Sequence, residues 1–259
     1  MISGPKILLE VILLIWIIIV LNKEGWKISN YKFLYVFTFI SLILNIMFYT
    51  FGAWPLYVSF GEQQGITNRV LILMVVFDIL KWTILVYFIT RFALRIEKEI
   101  DGGGFIITQK RFPITRIVPI GVVTGIIMVI VVSGITYLLF KDGLFERFNE
   151  MKQSNLYLKL GFLGGLRNLF GEEVLTRLGV QTLILYLLRK KSIGVILSVI
   201  LSSLYFEFWH NGFGELYFLN FSASVIFALA YYKYGYESAA VGHCVADWLF
   251  LCIVPYVLV

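Results

Sequence analysis

Charge is scarce in this chain. Asp, Glu, Lys and Arg make up 15% of its 259 residues against 59% hydrophobic ones, and the mean hydropathy is +0.87. Soluble domains carry about 25% charged residues, so an ordinary water-soluble fold is excluded. Cysteine is scarcer still: Cys244 and Cys252 are the only two, eight positions apart in one apolar run and too far along a helix to bridge. Histidine is limited to His210 and His243, and the paired-histidine signature HExxH is missing. Internal repeats and low-complexity segments are absent as well.

Long apolar runs are what the sequence has instead. They fall at 7–22, 33–53, 70–92, 117–140, 160–188, 192–209, 216–232 and 238–258. Each is long enough to cross about 30 Å of hydrocarbon at roughly 1.5 Å per residue. In lipid such runs must be helices, because a helix satisfies its own backbone. The expected fold is therefore all-α, a polytopic membrane helix bundle of about eight transmembrane helices in the cell membrane. No small-residue cleavage pattern follows the first run, so it is read as a helix rather than a signal peptide. Thirteen Lys and Arg fall on one side of this topology and six on the other. The positive-inside rule makes the richer side cytoplasmic, puts both termini outside, and accounts for the net charge of +6 without nucleic acid.

Two polar segments interrupt the pattern. Residues 95–116, with EKEIDGGG, read as a cytoplasmic loop or a surface helix with a flexible end; they divide N-terminal transmembrane helices, 1–110, from a C-terminal core, 111–259. Residues 141–157 place Leu144, Phe145 and Phe148 at helical spacing among charges, as in a short helix lying at the interface. Glu10, Asp78 and Lys81 lie inside the first three spans; Asp78 and Lys81, at i,i+3, can pair on one face, and structural accommodation is favoured over chemistry for all three.

The stretch GEEVLTRLGV, residues 171–180, concentrates charge where it is most costly. A charged side chain at mid-bilayer costs about 2.5 to 3.5 kcal/mol on insertion scales, so Glu172, Glu173 and Arg177 need partners or a wet cavity. Glu173 and Arg177 are i,i+4, the favourable order for a helical ion pair. Glu172 points about 100° away and has no local partner. Two readings follow: a buried structural network, or an ion pair that holds the helix while Glu172 serves as a base facing water. Both histidines come later and each has a companion at i,i+4: Phe206 before His210, and Asp247 after His243. That recurrence favours a shared site.

The ordered set Glu172-Glu173-x-x-x-Arg177, Phe206-x-x-x-His210 and His243-x-x-x-Asp247, on successive apolar helices, resembles the CPBP family of intramembrane endopeptidases. That family includes the type II CAAX prenyl proteases and the Abi proteins. The resemblance covers residues 158–258 and implies a glutamate-dependent peptidase with no metal and no other cofactor. Glu172 would take a proton from water that His210 holds against the scissile carbonyl. His243 and Asp247 would form the oxyanion site. Glu173 and Arg177 would be the structural pair, with the Phe206 ring beneath His210. The implied substrate is a peptide or protein in the membrane, prenylated or otherwise lipid-modified or membrane-embedded. Two departures stand out: Thr176 and Leu178 flank Arg177 where the family has Phe and Gly, and Asp247 stands where Asn is frequent. An ionised carboxylate cannot donate a hydrogen bond, so Asp247 is either protonated or orients a charged His243.

Three other readings compete. Two glutamates and two histidines could bind zinc. A scaffold or maturation factor could retain the fold without catalysis. A transporter could relay protons through Asp78, Lys81 and Glu172, although no inverted repeat supports it. One geometric problem remains. His210 lies 19 residues beyond Lys191 but His243 only ten beyond Lys233. Straight helices of equal length would set them more than about 10 Å apart in depth.

Overall fold

The computed structural model describes residues 4–100, 102–105, 113–153, 155–189, 191, 193–211 and 217–253, with the side chains of 60, 139–153, 155–157, 159–160, 211 and 217 left aside. Its described elements are helical. Helix α1 spans Gly4–Glu24 and α2 spans Tyr31–Met47, started by the Asn30 side chain, which accepts from the Phe33 amide at 3.0 Å. A π-helical turn at Phe48–Ala53 joins α2 to α3, Trp54–Gln63. Helices α4, Asn68–Ile96, and α5, Ile114–Gln153, complete the N-terminal series.

The C-terminal series is α6, Asn155–Asn168; a π-helical stretch, Val174–Gln181, running into α7, Thr182–Leu187; α8, Gly194–Asn211; α9, Tyr217–Tyr234; and α10, Tyr236–Trp248, which ends in a π-helical turn at Leu249–Ile253. Four helices are long and apolar enough to cross a membrane, at Pro5–Glu24, Tyr31–Gln63, Asn68–Ile96 and Ile114–Leu138; Val174–Leu187 and Gly194–His210 are shorter apolar helices.

The polarity of the bundle is inverted relative to a soluble protein. Its outer face carries Phe39, Leu73, Phe77 and Ile130, each more than 60% exposed, while Glu173, Arg177, Gln181, Ser202 and Ser224 have no exposed surface. Apolar area on that scale stays out of water only in lipid. This is a multi-pass membrane protein.

Three expectations are corrected. The run 160–188 is not one continuous helix: α6 stops at Asn168, and the chain turns before helix resumes at Glu172. The glycines of EKEIDGGG are not a flexible end either. Gly103 donates to the Tyr232 carbonyl at 3.0 Å, Gly104 to the Tyr231 hydroxyl at 2.9 Å, and Tyr236 to the Gly104 carbonyl at 2.8 Å. Gly103 has φ +70, and a Cβ there would fall 2.6 Å from the Tyr231 ring, so glycine alone lets this strap lie flat on the core, with Phe105 wholly buried behind it. The segment 141–157 continues α5 as far as Gln153 instead of starting a separate helix, and the side chains of Leu144, Phe145 and Phe148 lie outside the described residues.

Helix α10, which carries His243, is gripped from two sides by glycine pairs at i,i+4. On α5, a Cβ on Gly121 would lie 2.6 Å from Val241 Cβ, and one on Gly125 2.5 Å from the Gly242 carbonyl. On α6, a Cβ on Gly161 would lie 2.7 Å from Cys252 Sγ, and one on Gly165 2.8 Å from Trp248 Nε1. Without a hydrophobic driving force between helices in lipid, such close backbone approach supplies the packing. Gly125→Leu is expected to cost about 1 to 3 kcal/mol by overpacking. It should lower the midpoint of thermal unfolding in detergent, whereas Ile130→Leu, on the outward face of the same helix, should leave that midpoint unchanged.

Candidate active site

The turn after α6 sets up the two carboxylates. The Phe170 amide donates to the Arg167 carbonyl at 2.9 Å, the Tyr236 hydroxyl donates to the Leu169 carbonyl, and the Leu175 amide opens the next helix on the Gly171 carbonyl at 2.9 Å. Glu172 and Glu173 thus begin a new helix deep inside the bundle. The π-helical stretch that follows adds a residue per turn, a distortion found mostly at functional sites.

Glu173 is the anchor. Its Oε2 accepts from Arg177 Nε at 3.1 Å and its Oε1 from His243 Nδ1 at 2.8 Å. Arg177 completes its fork on two hydroxyls, Ser202 Oγ at 3.3 Å from α8 and Ser224 Oγ at 2.7 Å from α9. Five groups from four elements therefore close on one buried ion pair, and each charged atom has a partner, as burial of charge in lipid requires.

Glu172 faces the other way. Its Oε2 lies 3.2 Å from His210 Nε2 and 3.8 Å from His243 Nε2. The ring proton of His210 follows from its second nitrogen: Nδ1 is 2.9 Å from the Phe206 carbonyl, which only accepts, so Nδ1 donates and Nε2 turns to the carboxylate. His243 is fixed in the same way, with Nδ1–H on Glu173 and Nε2 aimed at Glu172 and, at 3.7 Å, at Asp247 Oδ1. Three carboxylates, Glu172, Glu173 and Asp247, thus surround one imidazole. The His210 and Asp247 side chains keep 26% and 19% of their surface, against 10% for Glu172, so they form the open side of the cluster.

Aromatic rings set the angles. Phe206 lies 4.2 Å from the His210 ring and 5.8 Å from His243, with the Arg177 guanidinium 5.8 Å above it, and Phe227 stacks on His243 at 5.0 Å and 14°. All seven residues singled out in the sequence thus fall in one cluster. The depth problem is resolved by unequal helices. His210 sits at the far end of the 18-residue α8, and its ring folds back onto Phe206, whereas α10 starts directly after Gly235, at φ 81, and presents His243 in its middle.

Four participants were missed. Ser202, Ser224 and Phe227 look like ordinary residues of apolar helices, and only the question of what else an arginine fork needs would have drawn attention to the serines. Asn168 ends α6 and donates Nδ2 to Asp247 Oδ2 at 2.9 Å. An amide is present beside position 247, though not at it. Among the described residues, no group of three or more His, Cys, Asp or Glu side chains is arranged to hold a metal ion.

Away from this cluster, Lys81 Nζ sits between Glu10 Oε2 at 3.3 Å and Asp78 Oδ1 at 3.1 Å, and the Tyr49 hydroxyl donates to Asp78. These charges satisfy one another, as the structural reading expects.

Removing one member of a buried pair strands the other, at a cost of about 3 to 5 kcal/mol. Arg177→Ala is expected to unfold in mild detergent where the wild type does not, as read by size-exclusion chromatography after a heating series. A folded Arg177→Ala protein of unchanged stability would refute the anchoring role.

Comparison with known proteins locates the cluster. Residues 154–249 match the family model described as Type II CAAX prenyl endopeptidase Rce1-like, close to the expected 158–258. No curated protein and no solved structure matches the chain. The matched segment contains every side chain of the cluster, from Asn168 to Asp247. Over residues 154–249 this multi-pass membrane protein is similar to the type II CAAX prenyl endopeptidases.

Proposed function

We propose that the chain is an intramembrane endopeptidase of the cell membrane that hydrolyses a peptide bond with water activated by Glu172. The observation that carries the reading is the convergence of three reactive atoms: Glu172 Oε2 with His210 Nε2 at 3.2 Å and His243 Nε2 at 3.8 Å.

A water at the open side of the cluster gives a proton to Glu172 while its oxygen accepts from His210 Nε2–H, leaving a lone pair free for the scissile carbonyl carbon. As the new C–O bond forms, the carbonyl electrons move onto oxygen, and His243 Nε2–H donates to the charge that develops. Collapse restores the carbonyl and breaks the C–N bond, and the leaving nitrogen takes the proton back from Glu172. Asp247, held by Asn168, orients His243 and does not donate. Glu173 and Arg177 fix the helix that carries the base. No cofactor enters this scheme.

The substrate class follows from what surrounds the turn. An apolar cavity of about 220 Å³, lined by Phe33, Phe37, Phe105, Leu169, Phe170 and Tyr236, lies directly against the residues that precede Glu172. It fits an apolar chain, as on a prenylated or membrane-embedded peptide. The catalytic core is residues 111–259, and helices within 1–110 buttress it: Phe37 packs on Phe170 at 4.7 Å and on Tyr236 at 5.8 Å.

Glu172→Gln keeps the size of the side chain and removes the base. It is expected to insert and fold normally and to lose at least about a thousandfold in peptidase rate. The readout is the set of new protein N-termini in membranes from cells carrying wild type, Glu172→Gln or no copy, with and without chelator. Cleavages that need Glu172 and survive chelation support the reading. Wild-type cleavage lost to chelator would assign the site to a metal, and identical termini in the two expressing strains would leave a scaffold.

A further inference from the structure

Helix α1 stands outside the segment that resembles the endopeptidases, and much of it faces lipid: Leu8, Ile15 and Ile19 are each half exposed or more. Its inward stripe is apolar at Leu13 and Ile17, yet one end of the stripe carries charge, with Glu10 buried and Lys6 one turn before it on the same face. The ion pairs with Lys81 explain part of this, since Glu10 and Asp78 share that cation. They do not explain where Glu10 and Lys6 reach next. Glu10 Oε1 accepts from Trp209 Nε1 at 3.2 Å, and Lys6 Nζ donates to the His210 carbonyl at 3.3 Å and lies 5.5 Å from the centre of the Trp209 ring. Two consecutive residues at the end of α8 are thus taken up by two residues one turn apart on α1.

That end of α8 needs holding. His210 is next to last in Gly194–Asn211, where backbone carbonyls lack an intrahelical partner and helices fray. The imidazole is set against Phe206, through Nδ1 on the Phe206 carbonyl at 2.9 Å and ring contact at 4.2 Å, but Phe206 belongs to the same helix. These contacts fix the ring relative to α8 and not relative to Glu172. The 3.2 Å approach of His210 Nε2 to Glu172 therefore depends on where the helix end lies.

Contacts with α1 supply that reference. Lys6 takes up a carbonyl of the last turn and puts a cation at the negative end of the helix dipole. Trp209, bonded to Glu10, stands edge-on between Trp82 of α4 at 5.8 Å and the His210 ring at 5.2 Å. Glu10 is in turn pinned to α4 by Lys81 at 3.3 Å, so α1 and α4 form one frame against which the end of α8 is set.

We propose that α1 is a positioning helix for the catalytic centre: Lys6 and Glu10 clamp the last turn of α8 and hold His210 at its working distance from Glu172. Both act through His210 and not on the substrate. The effect on rate rests on the endopeptidase reading above, whereas the effect on the place of His210 does not.

The test uses the fact that the chain has only two histidines. With the imidazole nitrogens isotopically labelled in the full-length protein in detergent, NMR reads His210 and His243 separately, the first assigned by its loss in His210→Gln. In Lys6→Met and in Glu10→Leu the His210 signals should shift or broaden while those of His243 stay. Lys6→Arg, which restores a donor, and Glu10→Gln, which restores an acceptor, should return toward the wild-type spectrum. On a peptide whose cleavage requires Glu172, kcat in Lys6→Met and Glu10→Leu should fall about ten- to a hundredfold while KM stays within about twofold. Unmoved His210 signals in both variants would overturn the clamp, and so would His243 signals that move as far, because they would mark a general loosening. An unchanged kcat in both variants of a protein that cleaves would overturn it as well. Selective movement of His210, in a protein whose wild type cleaves nothing, would uphold the clamp and sink the peptidase reading.

Discussion

Glu173 has no exposed surface, and both of its oxygens are committed, one to Arg177 on its own helix and one to His243 from α10. Arg177 in turn ties in α8 and α9 through Ser202 and Ser224. In a medium without water, none of these groups has an alternative partner, so the four elements assemble together or leave a charge stranded. The positions of both imidazoles depend on this closure: His243 is bonded to it directly, and His210 rests on Phe206, which lies under the Arg177 guanidinium. Glu172 is turned away from the anchor, and its Oε2 is aimed at two imidazole nitrogens.

Where the anchor supplies polarity, the glycine pairs supply distance. Charged groups can interlock across α10 only if its neighbours come within backbone contact, and Gly121, Gly125, Gly161 and Gly165 leave room for that. The ion pair draws the helices together, and the glycine faces set how near they come. Either device alone would leave the 3.2 Å and 3.8 Å approaches to Glu172 without definition.

Much of this was legible in the sequence. The i,i+4 spacing of Glu173 and Arg177 is read directly as a pair, and the scarcity of histidine makes His210 and His243 conspicuous. Apolar length located α1, α2, α4 and α5 for the same reason. Hydropathy failed at 160–188 because the break between Asn168 and Glu172 is made by long-range bonds, such as that from the Tyr236 hydroxyl, and not by a local Pro or charge. The glycine strap was misread because three glycines look flexible until the aromatic surface they lie on is known. Ser202, Ser224 and Asn168 were unremarkable because their partners are 25, 47 and 79 residues away.

The strap also has a bearing on the order in which the molecule is made. Gly104 emerges 127 residues before the Tyr231 hydroxyl to which it donates. That hydroxyl also pairs with Thr182, which donates to the Arg177 carbonyl at 2.8 Å, so the strap is one end of a chain of bonds leading to the buried ion pair. During synthesis the N-terminal helices must therefore enter the bilayer and wait, with the strap unlatched and Phe105 uncovered, until α9 arrives. The later helices lock the earlier ones, and a chain truncated before Tyr231 would leave the strap open at the place where it is meant to close.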